Sequence, residues 1–274
     1  VCSSDLTGGE VVWMVYDLIP IKHPDTCEPA MPPTFEAWLT HAVRTADGFL
    51  CISEATRQDL ESFIDRVSVR RARRPWSHTV GLGCDLDAGQ VSDSSPVVRE
   101  ALAGVGKRSM FLALGTVEPR KDYPTIIRAF DQLGADGNDV VLMLVGNRGW
   151  NVERVVERIR SHPEQGARLF WLQGISDGDI RSLLKQTTGL VQASLSEGFG
   201  LPLVEAGRVG VPLVLSDIAV FHEIAGSDAH YFPVGNDKAL AAILKEHSRT
   251  GQWKSPRSLK VFTWEEASVL LTTL

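Results

Sequence analysis

Residues 189–206 read GLVQASLSEGFGLPLVEA and contain the most informative pattern in the chain. The first five residues read as a short buried strand, and Gly198 and Gly200 permit a tight loop after it. Pro202 suits the first turn of a helix, because the N–H that proline lacks has no partner there. The stretch therefore predicts a strand, a glycine turn and a helix whose exposed N–H groups can bind phosphate or a sugar oxygen.

Two carboxylates, Glu197 and Glu205, lie eight residues apart in this stretch. On one continuous helix they would be separated by about 12 Å along the axis. They can therefore serve one ligand only if Glu197 lies on the loop and Glu205 lies inside the helix. A glutamate in the first turns of a helix also complements the helix dipole, and this structural role is the alternative for Glu205.

Strands and helices alternate on both sides of this stretch, which predicts an α/β protein with parallel sheets and helices on both faces. The predicted strands are 11–17, 48–52, 79–82, 110–114, 140–145, 169–172, 189–193 and 212–215. The predicted helices are 35–43, 53–65, 123–133, 151–161, 237–247 and 263–274, together with one that the capping pair Ser176 and Asp179 begins. Ligands in such sheets bind at the carboxyl ends of the strands, where the loops at 115–122, 146–150, 173–176 and 194–200 lie.

The segment EGFGLPLVEA, residues 197–206, resembles the E-x7-E signature of the retaining glycosyltransferases of family four, which have the GT-B fold. The continuation GVPLVLSDIAVFHEIAG, residues 210–226, is similar to the branch that adds mannose or similar sugars to bacterial surface polysaccharides. The resemblance covers residues 11–274 and is most specific over 110–232. It implies two Rossmann-like parallel-sheet domains that face a cleft, with the first domain incomplete.

The expected domain organisation follows from this resemblance. Residues 1–7 are expected to be a non-native leader, because their start looks like translated adapter sequence. Residues 8–100 are expected to be a partial N-terminal acceptor-side domain, because family members begin well upstream of the match at Val11. Residues 101–256 are expected to bind the nucleotide sugar, and residues 257–274 to form a helix that packs back on the first domain. The junction is placed in the weakly patterned segment 88–107.

Arg120 and Lys121 are adjacent cations on the first loop of the second domain and can neutralise a diphosphate. By resemblance they hold the diphosphate of the donor and stabilise the departing nucleoside diphosphate; a solvated charged pair is the alternative. The other loops at strand ends supply further candidates for donor binding. These are Gly115, Thr116, Asn147, Arg148 and Gly174.

The resemblance also assigns roles around the two glutamates. Glu205 is expected to accept hydrogen bonds from the ribose hydroxyls of the donor, and Glu197 to contact the donor sugar or orient the reaction centre. The N–H groups of Gly198, Phe199, Gly200 and Leu201 are expected to contact the sugar or the β-phosphate.

Tyr16-Asp17-Leu18-Ile19-Pro20 resembles a His-Asp-Leu-Ile-Pro loop of related enzymes, with Tyr16 in place of the histidine. That replacement puts any role of the histidine in doubt. Asp17 is expected to position the acceptor or the donor sugar, and a local turn-forming role is its alternative.

No metal and no cofactor is expected. Asp85 and Asp87 match the Asp-x-Asp motif of metal-dependent GT-A transferases, as do Asp177 and Asp179, but such spacings arise often by chance. Helix capping also explains Asp177 and Asp179. The charge of the leaving group must then be offset by the two cations and by N–H groups at helix ends.

Composition limits the partners and the setting. The chain has 274 residues, 43% hydrophobic and 23% charged, with a net charge of −6, so it has no overall basic field for nucleic acid. Its four cysteines lack metal-type spacing, and no apolar run approaches a membrane span, which makes the cytoplasm the simplest setting. The basic run from Arg66 to Arg74 reads first as a solvated face. Its alternative is peripheral contact with the inner membrane or with a lipid-phosphate acceptor.

These features together predict a retaining, metal-independent glycosyltransferase. The branch resemblance points to GDP-mannose as the donor and to a growing polysaccharide or lipid-linked glycan as the acceptor. Two alternatives stay open, namely a nucleotide-binding fragment without turnover and a GT-B sugar-nucleotide epimerase.

Overall fold

The computed structural model describes residues 9–67, 73–84, 94–256, 259 and 263–272. The chain divides into two compact units, of which the first comprises Val1–Gly83, Ser196–Gly200 and Phe262–Leu274. The second comprises Cys84–Leu195 and Leu201–Val261. The loop of Glu197 thus belongs to the first unit, although the elements on either side of it belong to the second.

The strands and helices follow one another along the chain in an alternating order. They are β1 (Val12–Val15), α1 (Ile19–Lys22), α2 (Met31–Thr45), β2 (Gly48–Cys51), α3 (Glu54–Val67), β3 (Trp76–Thr79), α4 (Pro96–Val105), β4 (Met110–Leu114), α5 (Tyr123–Ala135), β5 (Val141–Val145), α6 (Glu153–Arg160), β6 (Leu169–Leu172), α7 (Asp177–Leu184), β7 (Gly189–Gln192), α8 (Leu201–Arg208), β8 (Leu213–Ser216), α9 (Ala219–Ala225), β9 (Ala229–Phe232), α10 (Asp237–Thr250) and α11 (Trp264–Thr272). Short 3-10 turns lie at Pro24–Thr26 and Pro119–Lys121.

The first unit contains a parallel sheet with the strand order β1-β2-β3. Leu39 of α2, Phe49 of β2 and Leu60 of α3 are fully buried in its core. The Thr56 N–H donates to Ser53 Oγ over 3.0 Å, so the predicted cap of α3 is confirmed.

Two boundaries in this unit differ from the prediction. α2 begins at Met31, four residues early, because Pro32 and Pro33 are tolerated in the first turn of a helix. β3 ends at Thr79, where the strand was expected to begin. Its register is set by Trp76, which pairs with Gly48; a Cβ on Gly48 would lie 2.0 Å from the indole ring, so only glycine leaves room for it.

The second unit contains a six-stranded sheet with the order β6-β5-β4-β7-β8-β9, and every pair is parallel. Numbered within the unit, this is the order 3-2-1-4-5-6 of doubly wound folds, with the switch point between β4 and β7. All residues of β4 and β5 are buried, as expected for central strands with both faces covered. The predicted α/β class with parallel sheets is confirmed.

Three elements of the second unit, α4, α9 and β9, were not predicted from the sequence. α4 buries only Val98, Ala101 and Val105, and it lies within the segment that was expected to be a junction. The expected boundary between residues 100 and 101 therefore falls inside a helix, whereas the units divide between Gly83 and Cys84. α9 and β9 span seven and four residues, too few for a period to stand out.

Predicted helix caps are present at two further places. Ser176 and Asp179 form a reciprocal capping box at α7. The Thr263 N–H donates to Glu266 Oε2 over 2.8 Å, and the Glu266 N–H donates to Thr263 Oγ1 over 3.1 Å, which caps α11. α11 belongs to the first unit, where a Cβ on Gly83 would lie 2.4 Å from the Trp264 Cα.

No described helix combines the length and the apolar character that crossing a membrane requires.

An aromatic cluster anchors the segment after α10 to the sheet of the second unit. Trp253 packs against Phe111 of β4, with ring centroids 5.9 Å apart, and against His247 at 4.6 Å. His230 of β9 lies 4.0 Å from the His247 ring, and its Nε2 accepts a hydrogen bond from the Lys254 N–H over 3.2 Å. Burial, and then the charges of His247 and Lys254, lower the pKa of His230 from 6.5 to about 4. The native fold therefore holds His230 neutral.

This arrangement predicts acid sensitivity. Below about pH 6.5, His230 becomes protonated in the unfolded chain, whereas in the native state it stays neutral until about pH 4. The free energy of unfolding therefore falls as the pH falls through this window. His230→Gln keeps an acceptor for the Lys254 N–H but cannot bind the proton. We expect this variant to lose less stability than the wild type between pH 7 and pH 4.5, measured by urea unfolding.

His41→Gln on the exposed surface of α2 is the matched control and should follow the wild-type pH profile. An identical loss of stability in His230→Gln and the wild type would contradict the assignment.

Candidate functional site

A pocket of about 270 Å³ lies at the carboxyl ends of β4, β5 and β6 in the second unit. Each strand contributes its last residue and part of the following loop, while α7 contributes Ile180 and α8 contributes Pro202 and Glu205. The strand-end residues are Leu114, Gly115 and Thr116 after β4, Val145, Gly146 and Asn147 after β5, and Leu172, Gly174 and Ile175 after β6. The lining therefore combines apolar side chains, glycines, the polar residues Thr116 and Asn147, and one ionisable group, Glu205.

The loops that leave β4 and β5 approach each other so closely that Gly146 has no room for a side chain. Gly146 has a φ of 150°, and a Cβ on it would lie 1.9 Å from the Gly115 carbonyl oxygen. The Gly115 N–H donates to the Val145 carbonyl over 2.9 Å, and the Gly146 N–H donates to the Leu172 carbonyl over 3.0 Å. The sheet ladder thus continues into the loops, and the glycines let a ligand reach the backbone.

Side-chain hydrogen bonds hold the next two loops in place. Asn147 Oδ1 accepts from the Gly174 N–H over 3.1 Å, and Trp171 Nε1 donates to the Gly146 carbonyl over 2.8 Å. The amide NH₂ of Asn147 remains a donor type that a ligand can use.

Glu205 is the fifth residue of α8 and is partly buried at the pocket. Burial, and to a lesser extent the charge of Asp177, raises the pKa of Glu205 above its ordinary value. The pocket therefore disfavours an ionised Glu205 that has no partner. Hydroxyl donors of a bound ligand would supply the hydrogen bonds that stabilise the carboxylate.

The loop after β4 places Lys121 beside the pocket. Lys121 is 8% exposed, and its Cε and Nζ lie 3.3 and 3.4 Å from the position of a Cβ on Gly115. Arg120 Nε donates to Glu118 Oε2 over 3.0 Å, and the Arg120 carbonyl accepts from the Leu195 N–H over 2.8 Å. The cationic turn is thereby fixed to the exit of β7.

Asp17 and the Glu197 loop meet within the first unit. A Cβ on Gly198 would lie 2.1 Å from the Tyr16 carbonyl oxygen and 3.1 Å from the Asp17 Cβ. Asp17 Oδ1 accepts from the Ile19 N–H over 2.9 Å, so the local turn that was the alternative for Asp17 is present. Tyr16 is 58% exposed, and Glu197 is partly buried.

Five of the predicted donor-binding residues lie together at the pocket of the second unit. Gly115, Thr116, Asn147, Gly174 and Glu205 line the pocket. Arg148 does not line it, because its guanidinium pairs with Glu153 at 2.5 Å. Gly198, Phe199 and Gly200 belong to the first unit, and Leu201 is an exposed residue at the start of α8.

The pocket residues that the sequence did not single out are apolar: Leu114, Val145, Leu172, Ile180 and Pro202. Leu114, Val145 and Leu172 end buried strands, which was the available signal. An apolar residue at such a place is, however, equally typical of the hydrophobic core. Gly146 and Ile175 fall within the loops 146–150 and 173–176 that were expected at the ligand-binding edge, although neither was named as a donor-binding residue.

Nothing in the described ranges gathers three or more His, Cys, Asp or Glu side chains that could hold a metal ion. Asp179 accepts from the Ser95 N–H over 2.7 Å and from the Ser176 N–H over 3.1 Å, so its spacing from Asp177 reflects capping. Asp85 and Asp87 lie outside the described residues.

The ends of the basic run are engaged in ion pairs. Arg66 pairs with Glu36 at 3.4 Å, and Arg74 pairs with Asp65 at 2.5 Å and also with Glu61. The middle of the run, including Arg70 and Arg71, lies outside the described residues.

Comparison with known proteins shows which family this chain belongs to. The family described as "Glycosyl transferases group 1" matches residues 95–258. The serotype-specific mannosyltransferase WbdA of Escherichia coli is 33% identical over 270 residues, which are 96% of this chain and 33% of that protein. The O-antigen chain mannosyltransferase B of Escherichia coli is 31% identical over 168 residues, 57% of this chain and 43% of that protein. The chain thus spans about a third of the length of the WbdA relatives.

Solved structures share the fold at low sequence identity. Anabaena HepE, solved in complex with UDP and glucose, has a TM-score of 0.73 at 18% identity, covering 99% of this chain and 74% of that chain. A sucrose-phosphate synthase from Thermosynechococcus elongatus has a TM-score of 0.74 at 19% identity, covering 96% of this chain and 66% of that chain. These likenesses confirm the predicted GT-B fold class. The family match over residues 95–258, more than half of the chain, establishes that the chain belongs to the glycosyl transferases group 1 family.

Proposed function

We propose that this protein transfers a sugar from a nucleotide-sugar donor to a glycan or lipid-linked acceptor, with retention of the anomeric configuration. The observation that carries the proposal is the pocket of the second unit. It combines the glycine exit of β4, the start of α8 and the partly buried Glu205 at the carboxyl edge of a doubly wound sheet. The names of the mannosyltransferase relatives support mannose as the sugar. GDP-mannose is the donor that we propose.

Each part of this pocket has a role in the proposal. The apolar strand ends pack against the nucleoside, and Glu205 accepts hydrogen bonds from the ribose hydroxyls. Gly115 lets the diphosphate approach the backbone, where Lys121 and then Arg120 neutralise it. Arg120 must exchange part of its pairing with Glu118 for the phosphate, whereas Lys121 already lies beside Gly115.

The proposed reaction breaks the bond between the sugar C1 and the β-phosphate oxygen and forms a bond from C1 to an acceptor oxygen. The proton of the acceptor hydroxyl passes to the departing phosphate on the same face, which retains the configuration. Lys121 and Arg120 stabilise the charge that develops on the leaving diphosphate. Glu197 and Asp17, as catalytic residues of the first unit, orient the sugars.

The decisive experiment titrates the protein with GDP, UDP and ADP in a calorimeter. We expect selective binding of GDP, and hydrolysis of GDP-mannose in the absence of an acceptor. Hydrolysis separates the transferase from a nucleotide-binding fragment without turnover, and release of mannose rather than its epimer separates it from an epimerase. A folded chain that binds none of the three nucleotides would contradict the proposal.

Glu205→Gln is expected to change ligand affinity and stability in opposite directions. Losing a charged acceptor for the ribose should weaken GDP binding about tenfold or more. The free energy of unfolding of the unliganded protein at pH 7 should rise, because the raised pKa means that the native state tolerates the charge poorly. The gain should vanish below about pH 4.5, where both states hold the proton.

Glu157→Gln on the exposed face of α6 is the matched control and should leave GDP affinity unchanged. Calorimetry and urea unfolding measure both effects. A Glu205→Gln variant that binds GDP like the wild type would remove Glu205 from the site.

Lys121→Met is expected to weaken binding of the diphosphate specifically. Methionine keeps the buried volume of the side chain but loses its charge. We expect GDP affinity to fall by roughly tenfold or more, while guanosine affinity, which involves no phosphate, stays unchanged.

Lys185→Met at the exposed end of α7 serves as the charge-matched control. Equal losses for GDP and guanosine would indicate general damage to the pocket rather than loss of a phosphate contact.

Peripheral contact with the cytoplasmic face of the inner membrane stays a prediction. The ion pairs of Arg66 and Arg74 leave fewer charges of the basic run available for anionic lipid.

A further inference from the structure

Two buried hydroxyl side chains, Ser53 and Thr56, lie at the start of α3 in the first unit. Ser53 is 0% exposed and Thr56 is 2% exposed. Besides receiving the Thr56 N–H as a helix cap, Ser53 donates its own hydroxyl proton to Thr56 Oγ1 over 2.9 Å. Because Thr56 Oγ1 accepts this bond, its single proton remains to be donated elsewhere.

The Thr56 hydroxyl faces two backbone carbonyls from distant parts of the sequence. Its Oγ1 lies 3.3 Å from the Gly198 carbonyl oxygen and 3.4 Å from the Tyr16 carbonyl oxygen. Both distances exceed the usual range for hydroxyl donors, as expected when one proton is shared between two acceptors. Thr56 therefore bridges the loop after β1 and the loop that carries Glu197.

The two bridged loops also touch directly. Gly198 leaves no room for a side chain, since a Cβ on it would lie 2.1 Å from the Tyr16 carbonyl oxygen. Asp17 directly follows Tyr16 in the first loop, and Glu197 directly precedes Gly198 in the second loop. Small shifts of either backbone segment would therefore move a predicted catalytic carboxylate.

We propose that Ser53 and Thr56 are positioning residues that hold the Glu197 loop against the Asp17 loop. The inference rests on the proposed sugar transfer, in which both carboxylates orient sugars. Ser53 and Thr56 act through the loops and not on the substrate. Because the nucleotide pocket lies in the second unit, loss of this bridge should lower turnover while leaving nucleotide affinity intact.

Thr56→Val tests the inference, because valine keeps the shape of threonine but donates no hydrogen bond. We expect backbone amides of residues 196–200 to exchange about fivefold faster or more, the change that losing one hydrogen bond produces. The kcat for the donor should fall roughly ten- to a hundredfold, as for a displaced orienting group. The KM for the donor and the Kd for its nucleotide should stay within about twofold of wild type.

Two further variants guard against a merely structural effect. Thr56→Ser retains the hydroxyl and should restore slow exchange and most of kcat. Ser53→Ala leaves Thr56 in place and should shift both quantities in the same direction as Thr56→Val, so the inference stays testable if Thr56→Val does not fold.

Thr26→Val is the matched control, because Thr26 is also buried, at 5% exposed, and donates to a backbone carbonyl, that of His23, over 2.8 Å in the same unit. It should leave both the exchange of residues 196–200 and kcat unchanged. Unchanged loop exchange in Thr56→Val, an unchanged kcat despite a released loop, or an equal effect in Thr26→Val would each overturn the inference. A wild-type chain that binds no nucleotide contradicts the proposed function instead, and amide exchange then still decides the inference.

Discussion

The parallel pairing of β4 with β7 is the constraint on which the site depends. Phe111 pairs with Gly189 and Leu112 with Leu190, so the chain continues from β4 to one side of the sheet and from β7 to the other. A crevice opens where the strand order reverses, because loops leaving neighbouring strands there run in opposite directions. The exits of β4, β5 and β6 form one wall of the pocket, and α8, which follows β7, supplies Glu205 from the other.

Close backbone approach then determines how this pocket can recognise a ligand. The exits of β4 and β5 approach so closely that Gly146 has no room for a side chain, since a Cβ on it would lie 1.9 Å from the Gly115 carbonyl oxygen. Polar recognition there falls to N–H groups and to side chains that reach in from neighbouring elements, such as Asn147, Lys121 and Glu205. A loop in which glycine replaces larger residues can still bind a diphosphate, because peptide N–H groups and a nearby cation are sufficient to bind an anion.

Sequence reasoning predicted the central strands and the capped helices because these carry strong local signals. Five of the ten residues predicted to bind the donor line the pocket. β4 and β5 are continuous apolar runs, and the capping box of Ser176 and Asp179 repeats a known hydrogen-bond pattern. α4 and β9 bury few residues, so their sequences carry little of the apolar period from which an element is predicted. Arg148 shows a second limit: the sequence predicts a cation after a buried strand but not its partner, and Glu153 on the next helix pairs with it. The interaction partner of an exposed side chain is a property of the fold and not of the local sequence.

The spacing of Glu197 and Glu205 gains a physical meaning from the division of the chain. Glu205 lies within α8, whose buried residues Leu203, Val204 and Ala206 belong to the second unit, so the core of that unit sets its position. Glu197 lies on a loop that belongs to the first unit and is held there by backbone contact with Tyr16 and by the Thr56 hydroxyl. Two carboxylates that are close in sequence are thus positioned by independent sets of neighbours. A substitution that loosens one set need not disturb the other, so the proposed orientation of the sugar can be tested separately from the proposed affinity for the nucleotide.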